Sequence, residues 1–190
     1  VANSCAFCRE LLPTTKEEAD RKTMKRIEVS DPVALRQWGF RRYSEGDYKG
    51  AFEYWTKAAK LGDARAHYEL SHSYKEGKGG VEKDEKLELY HFEQAAICGH
   101  PQARHNLGCY EWNNNDNAER AVKHWIIAAT QGHDGSIIEL MDEFRNGMVS
   151  KDDLAAALRA HQAAVGATKS PQREAAEEYY RIEDNSHAEC

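Results

Sequence analysis

Cys5 and Cys8 open the chain as a Cys-Ala-Phe-Cys pair. Two thiolates at that spacing grip one side of a zinc ion, and a tetrahedral ion needs two further ligands. The remaining cysteines, Cys98, Cys109 and Cys190, are scattered and supply no second pair. The half-site is therefore incomplete within these residues. Five cysteines at irregular spacing make no disulfide framework either, and a reducing compartment, cytoplasmic or nuclear, is expected. Nine histidines invite a metal or catalytic reading. No HExxH motif and no carboxylate–histidine cluster supports one. No serine lies in a nucleophile elbow, and the run Gly77 to Gly80 lacks the Lys-Ser or Lys-Thr ending of a phosphate loop. No catalytic residue is assigned.

The elements that would position these side chains are helices. Ala66, Leu70 and Tyr74 fall four apart and share one face of a helix predicted over Ala64 to Glu76. Ser71 beside them is small enough to admit a neighbouring helix. Gly77, Gly79 and Gly80 stop that helix, Val81 plugs the turn, and Asp84 caps a second helix. The second helix carries Leu89, Phe92, Ala95 and Ala96 and ends at Gly99.

The same unit recurs. In residues 31–62, Ala34, Trp38 and Gly39 take the places of Ala66, Leu70 and Ser71, and Trp55, Ala58, Ala59 and Gly62 those of the second helix. In residues 102–132 they are Ala103, Leu107 and Gly108, then Ala121, Trp125, Ala128, Ala129 and Gly132. A weaker fourth copy has Ser136, Leu140 and Phe144, a turn at Gly147, Val149 and Asp152, and a second helix ending at Ala163, Ala164 and Gly166, with Ala160 in place of the aromatic. The first alanine of each pair, at 58, 95, 128 and 163, steps by 37, 33 and 35 residues, near the ~34 of tetratricopeptide arrays. His91 and His124 share one position in this register, where the first copy has Tyr54. That interchange points to a partly buried, hydrogen-bonding filler. His100, His105 and His133 lie near the junctions between copies. No single helix pair buries its own apolar face, so the copies must stack.

The expected fold is all-α: about four helix pairs, preceded by a helix within residues 14–30 that starts at Thr15 and Glu18 and ends near Ile27. A capping helix within residues 167–190 starts at Ser170 and Pro171 and carries Tyr179 and Tyr180. A net charge of −6 argues against nucleic acid, which demands clustered cations. No apolar run approaches the ~18 residues of a membrane helix.

The pattern of Ala, Leu-Gly and an aromatic, then Gly-x-Gly-Gly-Val-x-x-Asp and Ala-Ala-x-x-Gly, resembles the Sel-one-like repeat (SLR) family of the tetratricopeptide superfamily over residues 31–166. Ser71 and Met141 depart from it where the family prefers Gly. The resemblance implies a right-handed superhelical solenoid of antiparallel helix pairs, serving as an adaptor that binds other proteins or peptides. Carried over by position, the concave partner-binding face would hold Arg36, Phe40, Tyr43, Tyr68, His72, Lys75, His105, Cys109 and Trp112. The alternative reading makes Tyr43 and Trp112 core aromatics and the rest solvated. Residues 1–13 resemble the last ligand pair of a RING finger, with Ala6 for its proline. With Val1 where an initiator Met would stand, this stretch is expected to be the remnant of an upstream module. The full-length protein would then be a ubiquitin ligase with the repeats as substrate arm, and zinc its only cofactor. Bacterial cysteine-rich members linked to penicillin hydrolysis carry cysteine at the second alanine. This chain has Ala59, Ala96, Ala129 and Ala164 there, so that enzymatic reading stays remote.

Overall fold

The computed structural model describes residues 15–114 and 117–168. Nine helices and no strand occur among the described residues. Helix α1 (Lys16–Glu28) starts where the Thr15 hydroxyl accepts from the Glu18 N–H at 3.2 Å. It is followed by α2 (Pro32–Ser44), α3 (Tyr48–Lys60), α4 (Ala64–Glu76), α5 (Glu85–Ile97), α6 (Pro101–Asn114), α7 (Ala118–Thr130), α8 (Asp134–Arg145) and α9 (Lys151–Thr168).

Three junctions share one geometry. At each, a glycine in the left-handed region, Gly62, Gly99 or Gly132 with φ of 84–86°, ends the second helix of a pair. Its N–H and that of the next residue donate back to the paired alanines: Gly62 to Ala59 and Asp63 to Ala58, Gly99 to Ala96 and His100 to Ala95, Gly132 to Ala129 and His133 to Ala128. This is the Schellman closure, which satisfies carbonyls that the helix end would otherwise orphan. The residue after each glycine then caps the following helix. Asp63 accepts from the Ala66 N–H at 2.8 Å, His100 Nδ1 from Ala103 at 3.3 Å and His133 Nδ1 from Ser136 at 3.1 Å. The junctional histidines are thus helix caps in register with an aspartate.

The chain divides into two compact units between Ala103 and Arg104. In the first, α1 lies on α2, and α2 to α5 pack in sequence. Leu35, Ala51, Trp55, Ala58, Ala66 and Leu70 form its core, with Ile27 from α1 and Phe40 against it. Trp38 is only half-buried, and the Arg41 guanidinium lies over its ring. In the second unit α7, α8 and α9 pack on one another around Ala121, Trp125, Ala129, Leu140, Val149 and Ala157. Burying these apolar faces supplies the driving force, at ~25 cal/mol per Å² removed from water.

The fourth pair departs from expectation. α9 does not end at Gly166 but runs to Thr168, and Ala163 is exposed. Its inward stripe is Leu154, Ala157, His161 and Ala164–Val165. Leu154 and Ala157 join the core, His161 reaches Asp134 at 2.8 Å, and Ala164 and Val165 lie against Gly132. That face excludes position 163 by helical geometry. Asp152 belongs to the first turn of α9, not to the preceding turn, and Phe144 is 40% exposed. The expected capping helix after Ser170 lies outside the described residues.

Candidate interaction groove

In the first unit, α2, α3, α4 and the turn after α4 enclose a groove of about 340 Å³. Its lining is Phe40, Tyr43, Trp55, Tyr68, Glu69, His72, Ser73, Glu76 and Lys78. Phe40 meets the Trp55 ring edge-on at 5.6 Å, and Tyr43 lies tilted against the same ring at 5.6 Å. Tyr68 stacks on His100 at 4.5 Å and meets His72 edge-on at 4.6 Å. Tyr43, Trp55 and Tyr68 each touch at least two other rings and Phe40 touches Trp55, so the apolar wall is set before anything docks. Left-handed Gly77 ends α4 at φ 71° and turns the chain back, bringing Lys78 Nζ within 2.6 Å of Glu76 and over the rings of Tyr43 and Tyr48.

Glu69 and His72 carry the mark of burial, whereas the exposed Glu76 is held below the ordinary carboxylate range by its hydrogen bond with Lys78. Burial pushes the Glu69 carboxyl above the ordinary range, opposed by Arg65 at 3.6 Å. Burial pulls the His72 imidazole down, so His72 is neutral near pH 7.

Of the nine residues assigned to a partner face, Phe40, Tyr43, Tyr68 and His72 come together here. Arg36 instead pairs with the α4 cap, its Nε 3.1 Å from Asp63. Lys75 is exposed and 3.7 Å from Glu88. Tyr43 and Trp112 occupy equivalent positions and both lean on their copy's tryptophan, Trp112 at 5.7 Å from Trp125, while staying 38% and 36% exposed. They are therefore core partners and surface at once. His105 and Cys109 belong to the second unit.

Glu69, Ser73, Glu76 and Lys78 were not anticipated. Glu69 and Ser73 each follow an assigned residue by one position, and a stripe wider than one residue per turn would have included them. Lys78 lies beyond the helix, and only the left-handed glycine brings it in.

The histidines at the Tyr54 position differ. His91 Nδ1 lies 2.9 Å from His67 Nδ1, and its ring stacks on Tyr74 at 5.5 Å. Burial holds its pKa at about 4. His124 buries Nδ1 with no hydrogen-bond partner among the described residues. A carboxylate–histidine cluster does form, contrary to the sequence reading: donor atoms of His105, Cys109 and Glu139 lie within 4.8 Å of one another. Glu139 is distant in sequence, and only the packing of α8 brings it in. Cys5 and Cys8 lie outside the described residues.

Comparison with known proteins gives one consistent picture. The family model described as Sel1 repeat matches residues 32–63, 64–100 and 101–133. A Sel1 repeat protein from Oxalobacter formigenes superposes with a TM-score of 0.62 at 21% identity, covering 80% of this chain and 67% of that one. A protective antigen of uropathogenic Escherichia coli displaying an SLR fold gives 0.60 at 27% identity, over 78% of this chain and 33% of that one. Chitin synthase regulatory factor 4 of Schizosaccharomyces pombe is 32% identical over 87 residues, which span 46% of this chain and 14% of that protein.

Proposed function

Because the chain belongs to the Sel1 repeat family, we propose that it is a protein-interaction scaffold whose first unit holds a partner peptide in the α2–α4 groove. The groove carries this reading: an aromatic wall of Phe40, Tyr43 and Tyr68 beside the carboxylates of Glu69 and Glu76. Such a site fits a large apolar side chain followed by a lysine or arginine. The apolar group fills the aromatic wall, and the cation answers the Glu69 carboxylate, which burial has made costly to ionise. The rings already brace one another, so little ordering entropy is lost on docking. The related chitin synthase regulatory factor supports a regulatory role carried by protein contacts. No described helix is long and apolar enough to cross a membrane. The reading assigns binding to this chain and no reaction.

Peptide display against the full chain tests it. Enriched peptides should pair an aromatic or leucine residue with an adjacent Lys or Arg. They should lose at least tenfold in affinity on Tyr68→Ala, and less on Glu69→Gln. Peptides without that pattern, or binding both variants as well as the parent, would remove the groove from the proposal.

A further inference from the structure

His105 and Cys109 lie one turn apart on α6, and Glu139 faces them from α8. All three are half-buried. The surrounding hydrogen bonds accommodate the tautomer of His105 that leaves Nε2 able to ligate. The Ser136 backbone N–H donates to His133 Nδ1 at 3.1 Å, so that nitrogen carries no proton. It can accept the Ser136 hydroxyl proton, with Oγ 3.1 Å away. In that arrangement Ser136 Oγ accepts from His105 Nδ1–H at 3.0 Å, and the His105 Nε2 lone pair is turned toward Cys109 Sγ, 3.5 Å away. A histidine whose second nitrogen is anchored in this way is the usual form of a metal-ligating imidazole.

We propose that His105 Nε2, Cys109 Sγ and the Glu139 carboxylate bind one Zn²⁺ ion, with the fourth position taken by water. Imidazole, thiolate and carboxylate together suit zinc, whereas calcium and magnesium prefer oxygen donors alone. Zinc bonds of about 2.0–2.3 Å place tetrahedral donors roughly 3.5 Å apart. His105 and Cys109 already meet that spacing, and a Glu139 oxygen lies within 4.8 Å of both donors. Asp142 and Glu143 add negative charge beside Glu139, and Glu139 adds it beside Cys109, which favours a cation there. Binding releases the Cys109 thiol proton to solvent and leaves a Zn–S bond, joining α6 to α8. This site uses none of the groove residues and neither Cys5 nor Cys8.

Cobalt(II) titration of the full chain tests the proposal, with Cys5→Ala and Cys8→Ala introduced to silence that pair. The expected result is one equivalent of Co²⁺ with a near-ultraviolet thiolate-to-cobalt charge-transfer band, displaced by one equivalent of Zn²⁺. Adding Cys109→Ala should abolish the band with far-ultraviolet circular dichroism unchanged. Ser136→Ala, which frees His105 Nδ1, should weaken binding about 10- to 100-fold. Glu139→Gln should also weaken it, and because this residue is outside the core it carries the test if Cys109→Ala fails to fold. Absence of the band in the Cys5→Ala/Cys8→Ala chain, its persistence after Cys109→Ala, or undiminished affinity after Glu139→Gln would overturn the site.

Discussion

A Cβ placed on Gly39 or Gly108 would come within 2.5 Å of the Trp55 or Trp125 indole. The copy whose aromatic is Phe92 carries buried Ser71 at that position instead. Residue size at the two positions is therefore matched. Gly108→Ser should cost about 1–3 kcal/mol by overpacking. Combined with Trp125→Phe it should recover about 1 kcal/mol relative to the sum of the single changes. Urea unfolding of the four chains measures this, and strict additivity would show that the indole has room to move. His91 gives a pH-dependent test. Its ring titrates near 6.5 when unfolded and at about 4 when folded. Below pH 6.5 protons bind the unfolded chain first, so stability falls toward pH 4 and then levels off. The share due to His91 is about 1–2 kcal/mol once screening of the half-exposed ring is allowed for. His91→Tyr, which installs the residue of the first copy, should make the decline in melting temperature between pH 7 and pH 5 shallower. An unchanged decline would assign it to other histidines lowered by burial, such as His67 and His124.

Helix boundaries were legible because they rest on local chemistry. Asp31, Asp63 and Asp84 cap helices as short acceptors beside free N–H groups, and the left-handed glycines close them. The first three double alanines are buried as their repetition implied. What the sequence hid depends on contacts between elements. His100 and His133 cap helices only because they stand where Asp63 stands, and Glu139 meets His105 only through the packing of α8. In the fourth pair the Ala-Ala pattern misled, since Leu154 and Ala157 set which face of α9 turns inward. Asp63 shows what a cap contributes when it also binds a neighbour: it accepts from Ala66 N–H and holds Arg36 of α2. Asp63→Ala should cost about 1–2 kcal/mol, at the upper end for a cap. Arg36→Met should cost less, since the cap bond survives. Thermal melts would show the order, and equal losses would mean that the ion pair, not the cap, is the larger effect.

In a repeat protein stability is close to a sum of local terms, because each pair contacts only its neighbours. Here each unit has a core cluster of its own: Trp55 packs with Leu35, Ala58 and Leu70, and Trp125 with Ala121, Leu140 and Ala157. The division falls within α6, between Ala103 and Arg104. Trp125→Ala removes a large buried side chain and should destabilise its own unit by about 3 kcal/mol or more. Amide hydrogen exchange resolves where that loss falls, since opening free energies differ between cooperative segments of one chain. Amides of α7, α8 and α9 should exchange about 100-fold faster, which is what ~3 kcal/mol means at 1.4 kcal/mol per decade. Amides of α2, α3 and α4 should keep their wild-type protection. The reciprocal change, Trp55→Ala, should reverse the pattern. If either variant lost protection evenly across both units, the array would unfold as one cooperative body. A ligand bound to one unit would then be felt in the other.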